Sequence, residues 1–459
     1  MNCKREDEII KLLRSEVKPA VGCTEPVAVA LAVSKACEVL RLKGFDPFEV
    51  EVEVSANILK NAMGVGIPGT GKVGLPIAVA LAVACGKSEY KLEVLKDVSS
   101  EALERAEEFV AAGKIKISVA DTQLNLYIKV TVFSSRKGGD YAENGNHYAT
   151  AVVSGSHDNI ESYGFDGVNL SGRDVASPEG SHSSAETKSA GSVRKDDIIS
   201  GGDITIREIC DFVNSVDFDR IEFILESKKL NKALSAEGLR GDYGLKVGKT
   251  IAAAEHNMIY GNTVLARAMS ATAAATDARM DGCVLPAMSN SGSGNQGITV
   301  TMPLVSVADD MNCPREQLAR ALALAHLVAI HIKSRLGKLS ALCGCVVASA
   351  GSSCGMVFLK GGGYDQICSA IKNMAGSITG MVCDGAKTGC ALKVASGVAS
   401  AIQSALLALN GISASSNDGI INDDIEKTIS DIGAIGSEGM KETDKMILNI
   451  MVSKQTAAN

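Results

Sequence analysis

Apolar and polar positions change rhythm along the chain. Over residues 6–13 and 25–42 apolar side chains return every three to four positions, the spacing of one helix face. The second of these stretches is entered through Thr24-Glu25-Pro26, with a proline preset for the first turn, and left at Gly44. Residues 50–55 alternate as a strand with one wet face does, and 74–85 form an apolar run suited to a buried helix. Residues 91–94, 114–120, 125–132 and 147–153 read as further strands, with a helix over 99–112 among them. Beyond Thr205 helical periodicity takes over, at 206–216, 220–236, 262–275, 315–336, 366–374 and 391–409, broken by glycine-rich turns. The pattern predicts an α+β chain, with a mixed α/β domain over residues 1–203 and a mostly α-helical domain over 204–459. Residues 171–197, rich in Ser, Gly, Glu and Lys, can bury little and read as a loop-like insertion.

Composition narrows the class. The 459 residues are 46% hydrophobic, enough for substantial cores, and only 4% aromatic, with no Trp and 46 Gly. Small residues let helices approach one another closely, and let backbone approach a ligand. The net charge is −7, from 46 basic and 53 acidic residues, and no basic stripe stands out, which disfavours a nucleic-acid partner. Residues 1–14 are charged and carry no secretory core. The longest apolar runs, 73–85 and 321–332, fall short of the ~20 residues that span a bilayer. The expectation is a cytoplasmic protein with no membrane partner, a homodimer by default. Its thirteen cysteines are many for a cytosolic chain: most read as small buried hydrophobes, a few as metal ligands or catalytic thiols.

Several motifs fail on inspection. Gly66-Ile-Pro-Gly-Thr-Gly71-Lys72 fills G-x-x-x-x-G-K, but Val73 stands where a magnesium-binding Ser or Thr belongs. A glycine-rich turn whose backbone N–H groups meet a substrate carboxylate is the better reading, a plain tight turn the alternative. Gly292-x-Gly294-x-x-Gly297 has no βαβ setting for a dinucleotide. His326 and His331 lie about 140° apart on one apolar helix, so two hydrogen-bonded core imidazoles are expected rather than a zinc pair.

The cysteines are more informative. Cys383 and Cys390 bracket a polar loop with Gly385, Lys387 and Gly389, and Cys390 opens a long Ala-rich helix. Free N–H groups and the positive helix end suit an anionic thiolate-ligated group, with two core cysteines beside a turn as the other reading. Cys343, Cys345 and Cys354 supply further candidates. On a helix Cys343 and Cys345 point about 200° apart, so one at most could face a common group. Three ligands on a four-iron cubane leave one iron open as a Lewis acid. Cys23 directly precedes a helix, where a thiol is acidified and could act as a base, or could be structural.

Four segments taken in order resemble the L-cysteine desulfidase family. They are V-G-C-T-E-P around Cys23, N-I-L-K-N-A-M-G-V-G-I-P-G-T-G over 57–71, S-G-S-G-N-Q-G over 291–297 and C-D-G-A-K-x-G-C over 383–390. That family is related to the oxygen-sensitive iron–sulfur L-serine dehydratases through their α-chain domain, and the likeness covers most of the chain outside 171–197. The resemblance implies iron–sulfur-dependent β-elimination of L-cysteine to sulfide, ammonia and pyruvate through 2-aminoacrylate, without pyridoxal phosphate. It further implies a [4Fe-4S] cluster with one open iron in the helical domain, held by Cys345, Cys383 and Cys390, with Cys343 the alternative to Cys345, and Cys23 as the base. The mechanism expected on that footing sets Asn57, Asn61, Gly69, Thr70, Gly71, Ser293, Asn295 and Gln296 around the small amino-acid substrate, with Lys338, Lys387 and Arg279 as candidate counter-charges. Serine dehydratases separate their last two ligands more widely, so the C-x₆-C spacing points to cysteine, with L-serine ammonia-lyase as the alternative. A non-catalytic iron–sulfur sensor of cysteine or redox state is the reading from another class.

Overall fold

The computed structural model describes residues 2–122, 124, 126–134, 147–171, 199–337 and 341–456. The insertion expected over 171–197 lies outside the described residues except for Ser171, and Lys338 lies outside them too. Contacts divide the chain into two units. One comprises Thr24–Leu59 and Leu75–Ile199, the other Met1–Cys23, Lys60–Gly74 and Ser200–Asn459. A mixed α/β N-terminal region and a largely α-helical C-terminal region are both present, as the periodicities predict.

The α/β unit is built on a six-stranded sheet. Its order is Ile115–Val119, Pro47–Val54, Tyr127–Ser134, Tyr148–Ser154, Ile160–Phe165 and Val168–Asn169, with only the first pair parallel. Alternation decides which face is covered. Val50, Val52, Val54, Val130, Ala151 and Val153 are fully buried, while the other face carries the cross-strand pairs Lys116–Glu51 at 3.0 Å and Lys129–Glu53 at 2.7 Å. The helix Thr24–Leu42 covers the buried face, and Leu75–Cys85 packs between it and Ser100–Ala111. One expected strand is absent. Residues 91–94 fall in and after a 3₁₀ turn, Ser88–Glu93, because Lys91 takes a left-handed φ of 50° that no strand can continue.

In the helical unit, Val264–Met280, Gly294–Asp310, Arg315–Leu336, Gly344–Leu359 and Cys390–Leu409 pack on one another. Alanine and glycine set the spacing: a methyl group at Gly351 would stand 2.4 Å from the Ala325 carbonyl oxygen. Periodicity misses two of these helices, Gly294–Asp310 and Gly344–Leu359. Both are buried nearly all round, so neither shows a wet face to reveal its period. By length and composition alone Cys390–Leu409 could cross a membrane; here it packs against other helices, among them Val264–Met280, Gly294–Asp310, Gly344–Leu359 and Tyr364–Ser377.

Both histidines are core imidazoles, as expected. His326 meets Asn290 Nδ2 at 3.0 Å and Thr301 Oγ1 at 3.4 Å, and burial lowers it to about 3, so it stays neutral. His331 meets the Gly201 carbonyl at 2.9 Å and Glu426 at 2.7 Å.

Asp277, buried on Val264–Met280, accepts the Gly248 N–H at 3.0 Å and so fixes the turn before Val247–Ala252. Burial pushes its carboxyl up to about 6, against the opposing pull of the Gly248, Val247 and Leu245 N–H groups. A carboxyl raised in the folded state contributes stability below its unfolded pKa and loses it as pH rises through about 6. Melting temperatures followed from pH 4 to pH 7 should therefore fall more steeply for the natural chain than for Asp277→Asn. Parallel curves would show that this carboxyl does not titrate there.

Candidate functional site

The helical unit gathers parts of the motif segments around one buried cation. Arg279 lies at the end of Val264–Met280 and is 6% exposed. Its Nη1 donates to Asn295 Oδ1 at 3.0 Å, and its Nη2 donates to the Gly22 carbonyl at 2.8 Å and to Cys23 Sγ at 3.5 Å. Its Nε is buried without a hydrogen-bond partner among the described residues. Gly294 makes this possible, because a methyl group there would stand 2.2 Å from Nε. Cys23, 3% exposed, packs with Val65, Met280, Cys390 and Ala386.

The S-G-S-G-N-Q-G segment forms the start of Gly294–Asp310. Ser291 and Gly292 take positive φ, and Ser293 caps the helix by accepting the Gln296 N–H at 3.3 Å. Asn295 Nδ2 reaches Met280 Sδ at 3.2 Å. Gln296 Nε2 donates to Asn290 Oδ1 at 2.6 Å, while its buried Oε1 has no partner among the described residues and lies against the backbone at Gly344. Asn290 is fully buried and ties this turn to His326. Sequence reading passed over Asn290; its one signal was its place directly before the Ser-Gly-Ser-Gly turn.

The glycine-rich turn is held by its own polar groups. Gly69 N–H donates to the Gly282 carbonyl at 3.1 Å and Thr70 N–H to the Ile67 carbonyl at 3.2 Å. Thr70 Oγ1 also donates to Ile67 and accepts from Lys72 N–H. The amides expected to face a carboxylate at Gly69 and Thr70 are thus engaged within the protein. Asn61 is half-buried at the end of Ala56–Ala62. Asn57 belongs to the other unit, and its buried Oδ1 has no partner among the described residues. Lys60, almost fully buried, is paired with Asp444 at 2.6 Å.

The cysteines near Cys383 require a correction. Among the described residues no group of three or more His, Cys, Asp or Glu side chains is placed to hold a metal ion, which overturns the expected [4Fe-4S] cluster on Cys345, Cys383 and Cys390. A short antiparallel pairing explains where the sulfurs go. Cys343 N–H donates to the Met381 carbonyl at 2.7 Å and Cys383 N–H to the Ala341 carbonyl at 2.6 Å, which sets the Cys343 thiol against Cys383. Cys343 is the cap of Gly344–Leu359 rather than a residue within it, so the helical angle expected to separate it from Cys345 does not apply, and the two thiols meet. Cys345 Sγ also faces Met381 Sδ at 3.9 Å, and Cys390 Sγ faces the Gly385 carbonyl at 3.8 Å. Contact with Cys345 pushes Cys343 up to about 12, contact with Cys343 and burial push Cys383 up, and burial pushes Cys390 up. Cys390 does open its helix, as expected, and Lys387 is paired with Asp384.

Comparison with known proteins places the chain in a class. It belongs to the serine dehydratase alpha chain family, which residues 89–449 match. It is also similar along nearly its whole length to proteins named UPF0597. One from Bacteroides fragilis is 45% identical over 448 residues, 97% of this chain and 98% of the relative. One from Oleidesulfovibrio alaskensis is 45% identical over 451 residues, covering 97% and 98%. A third, from Porphyromonas gingivalis, is 43% identical over 457 residues, covering 99% and 100%. The family-level relation expected from the motifs holds.

The clearance at Gly294 is open to test. Gly294→Ala should push the Arg279 guanidinium away from Asn295 and Gly22, at a cost of about 1–3 kcal/mol. Denaturant unfolding measures it, and an unchanged midpoint would show that the contact is not tight.

Proposed function

We propose that the chain is a lyase that removes the β-substituent of a small L-amino acid, with L-cysteine the substrate and L-serine the alternative. What carries this reading is the Cys23 thiol, buried and 3.5 Å from the Arg279 guanidinium, in a member of the serine dehydratase alpha chain family. An α-C–H is a weak acid, so a base must be held in place and its charge balanced. Cys23 is the candidate base, and Arg279 is the electrostatic partner of a thiolate there.

Two buried polar atoms at the start of Gly294–Asp310 lack partners among the described residues, the donor Arg279 Nε, which lies against Gly294, and the acceptor Gln296 Oε1. A buried polar group without a partner calls for one. The carboxylate and ammonium of an amino acid are the complementary groups, with Ser293 and Asn295 fixing the turn between them.

In the elimination, Cys23 takes the α-proton, the C–H electron pair forms the Cα–Cβ double bond, and the Cβ–S bond breaks to release hydrosulfide. The 2-aminoacrylate left behind tautomerises to an imine, and water converts that to pyruvate and ammonia. L-Serine would lose hydroxide in the same way. Hydrosulfide is the weaker base and the better leaving group, which favours cysteine.

Sulfide and pyruvate should be measured side by side, anaerobically, with L-cysteine and with L-serine. Cys23→Ala should lower turnover by about 10²–10⁴-fold, the usual contribution of a positioned base, with circular dichroism confirming the fold. Pyruvate from serine without sulfide from cysteine would reverse the substrate, and full turnover by Cys23→Ala would remove the base. Binding of cysteine with no product would point to a sensor.

A further inference from the structure

The helical unit contains a cavity of about 520 Å³, within the range of small-molecule sites. It lies between Ile206–Ser215, the start of Arg315–Leu336, the end of Gly344–Leu359 and the start of Tyr364–Ser377. Gly344–Leu359 begins against Gln296 and ends with Phe358 on the cavity wall, about 20 Å away at 1.5 Å per residue. The cavity is therefore separate from the Cys23 site.

Its wall carries one charge of each sign. Arg320, on Arg315–Leu336, donates through Nε and Nη2 to the same oxygen of Glu316, Oε1, at 3.0 and 2.7 Å, and through Nη1 to the Val213 carbonyl at 2.6 Å. A guanidinium has five N–H groups, so two remain, and Glu316 Oε2 makes no hydrogen bond among the described residues. The lining also includes Gly361 to Gly363, which lead into Tyr364–Ser377, and the apolar side chains of Phe358 and Ile367. Donors for a carboxylate, an acceptor for an ammonium and apolar side chains suit one ligand chemistry, a zwitterion with a small apolar body.

We propose that this cavity is a second binding site, for a free L-α-amino acid, with Arg320 taking the carboxylate and Glu316 the ammonium. The site stands apart from Cys23 and needs no turnover to be observed.

Calorimetric titration of the full chain with each of the twenty L-amino acids tests it. At least one should bind at a site that persists in Cys23→Ala. Glu316→Gln, a change at an exposed side chain, should weaken that binding by about ten-fold or more. The 2-oxo acid with the same side chain, which lacks the ammonium, should bind weakly and be insensitive to Glu316→Gln. Arg320→Gln should abolish binding of both, with circular dichroism confirming the fold. Amino-acid binding that vanishes in Cys23→Ala, that ignores Glu316→Gln, or that never occurs would overturn the proposal.

Discussion

A positive charge buried in the helical unit sets the terms for what surrounds it. The Arg279 guanidinium cannot stay out of water unless acceptors are fixed about it, since an unpaired buried charge costs several kcal/mol (about 3–5). Those acceptors come from distant parts of the sequence: the Gly22 carbonyl, the Cys23 sulfur and the Asn295 amide. Each in turn is held by its own local chemistry. Gly22 takes a left-handed φ, Asn295 sits in a helix start capped by Ser293, and Asn290 anchors the preceding turn to His326. The candidate site is what results when these demands are met together.

The same economy of space governs the helices around it. With few aromatics, the core is made of alanine, glycine and branched aliphatics, and helices approach until backbone meets backbone, as at Gly351 and Ala325. Close packing of this kind leaves little room for shifts, so polar side chains inside it must be satisfied by fixed partners. His326 and His331 meet that condition fully, whereas Arg279 Nε and Gln296 Oε1 do not.

Much of the fold was legible. The strand over residues 50–55 declared itself by alternation and the helix over 315–336 by its period, because each has one face towards water. Gly294–Asp310 and Gly344–Leu359 did not, being buried on all sides. The candidate site was legible in pieces. Cys23, Ser293, Asn295 and Gln296 were picked out by residue type and by the family likeness, and Arg279 was one of three possible cations. Asn290 and the role of the Gly22 carbonyl were not visible, because a backbone acceptor leaves no trace in side-chain chemistry. The metal ligands were misjudged for a related reason: the spacing of Cys383 and Cys390 says which sulfurs are available and nothing of where each points.

By itself the sequence determined membership in a dehydratase-like family, the α+β character of the chain and the short list of residues able to do chemistry. These follow from local properties, namely periodicity, turn composition and motif identity, which neighbours along the chain suffice to define. Only the tertiary structure decided that residues 1–23 and 60–74 pack with the second half of the chain, that the Gly69 and Thr70 amides are engaged internally, and that the Cys343 thiol meets that of Cys383 beside the bridge of Leu342 with Val382. Those outcomes depend on contacts between residues tens to hundreds of positions apart. Their energies are set by burial and by the direction of each hydrogen bond, and neither exists until the chain has folded.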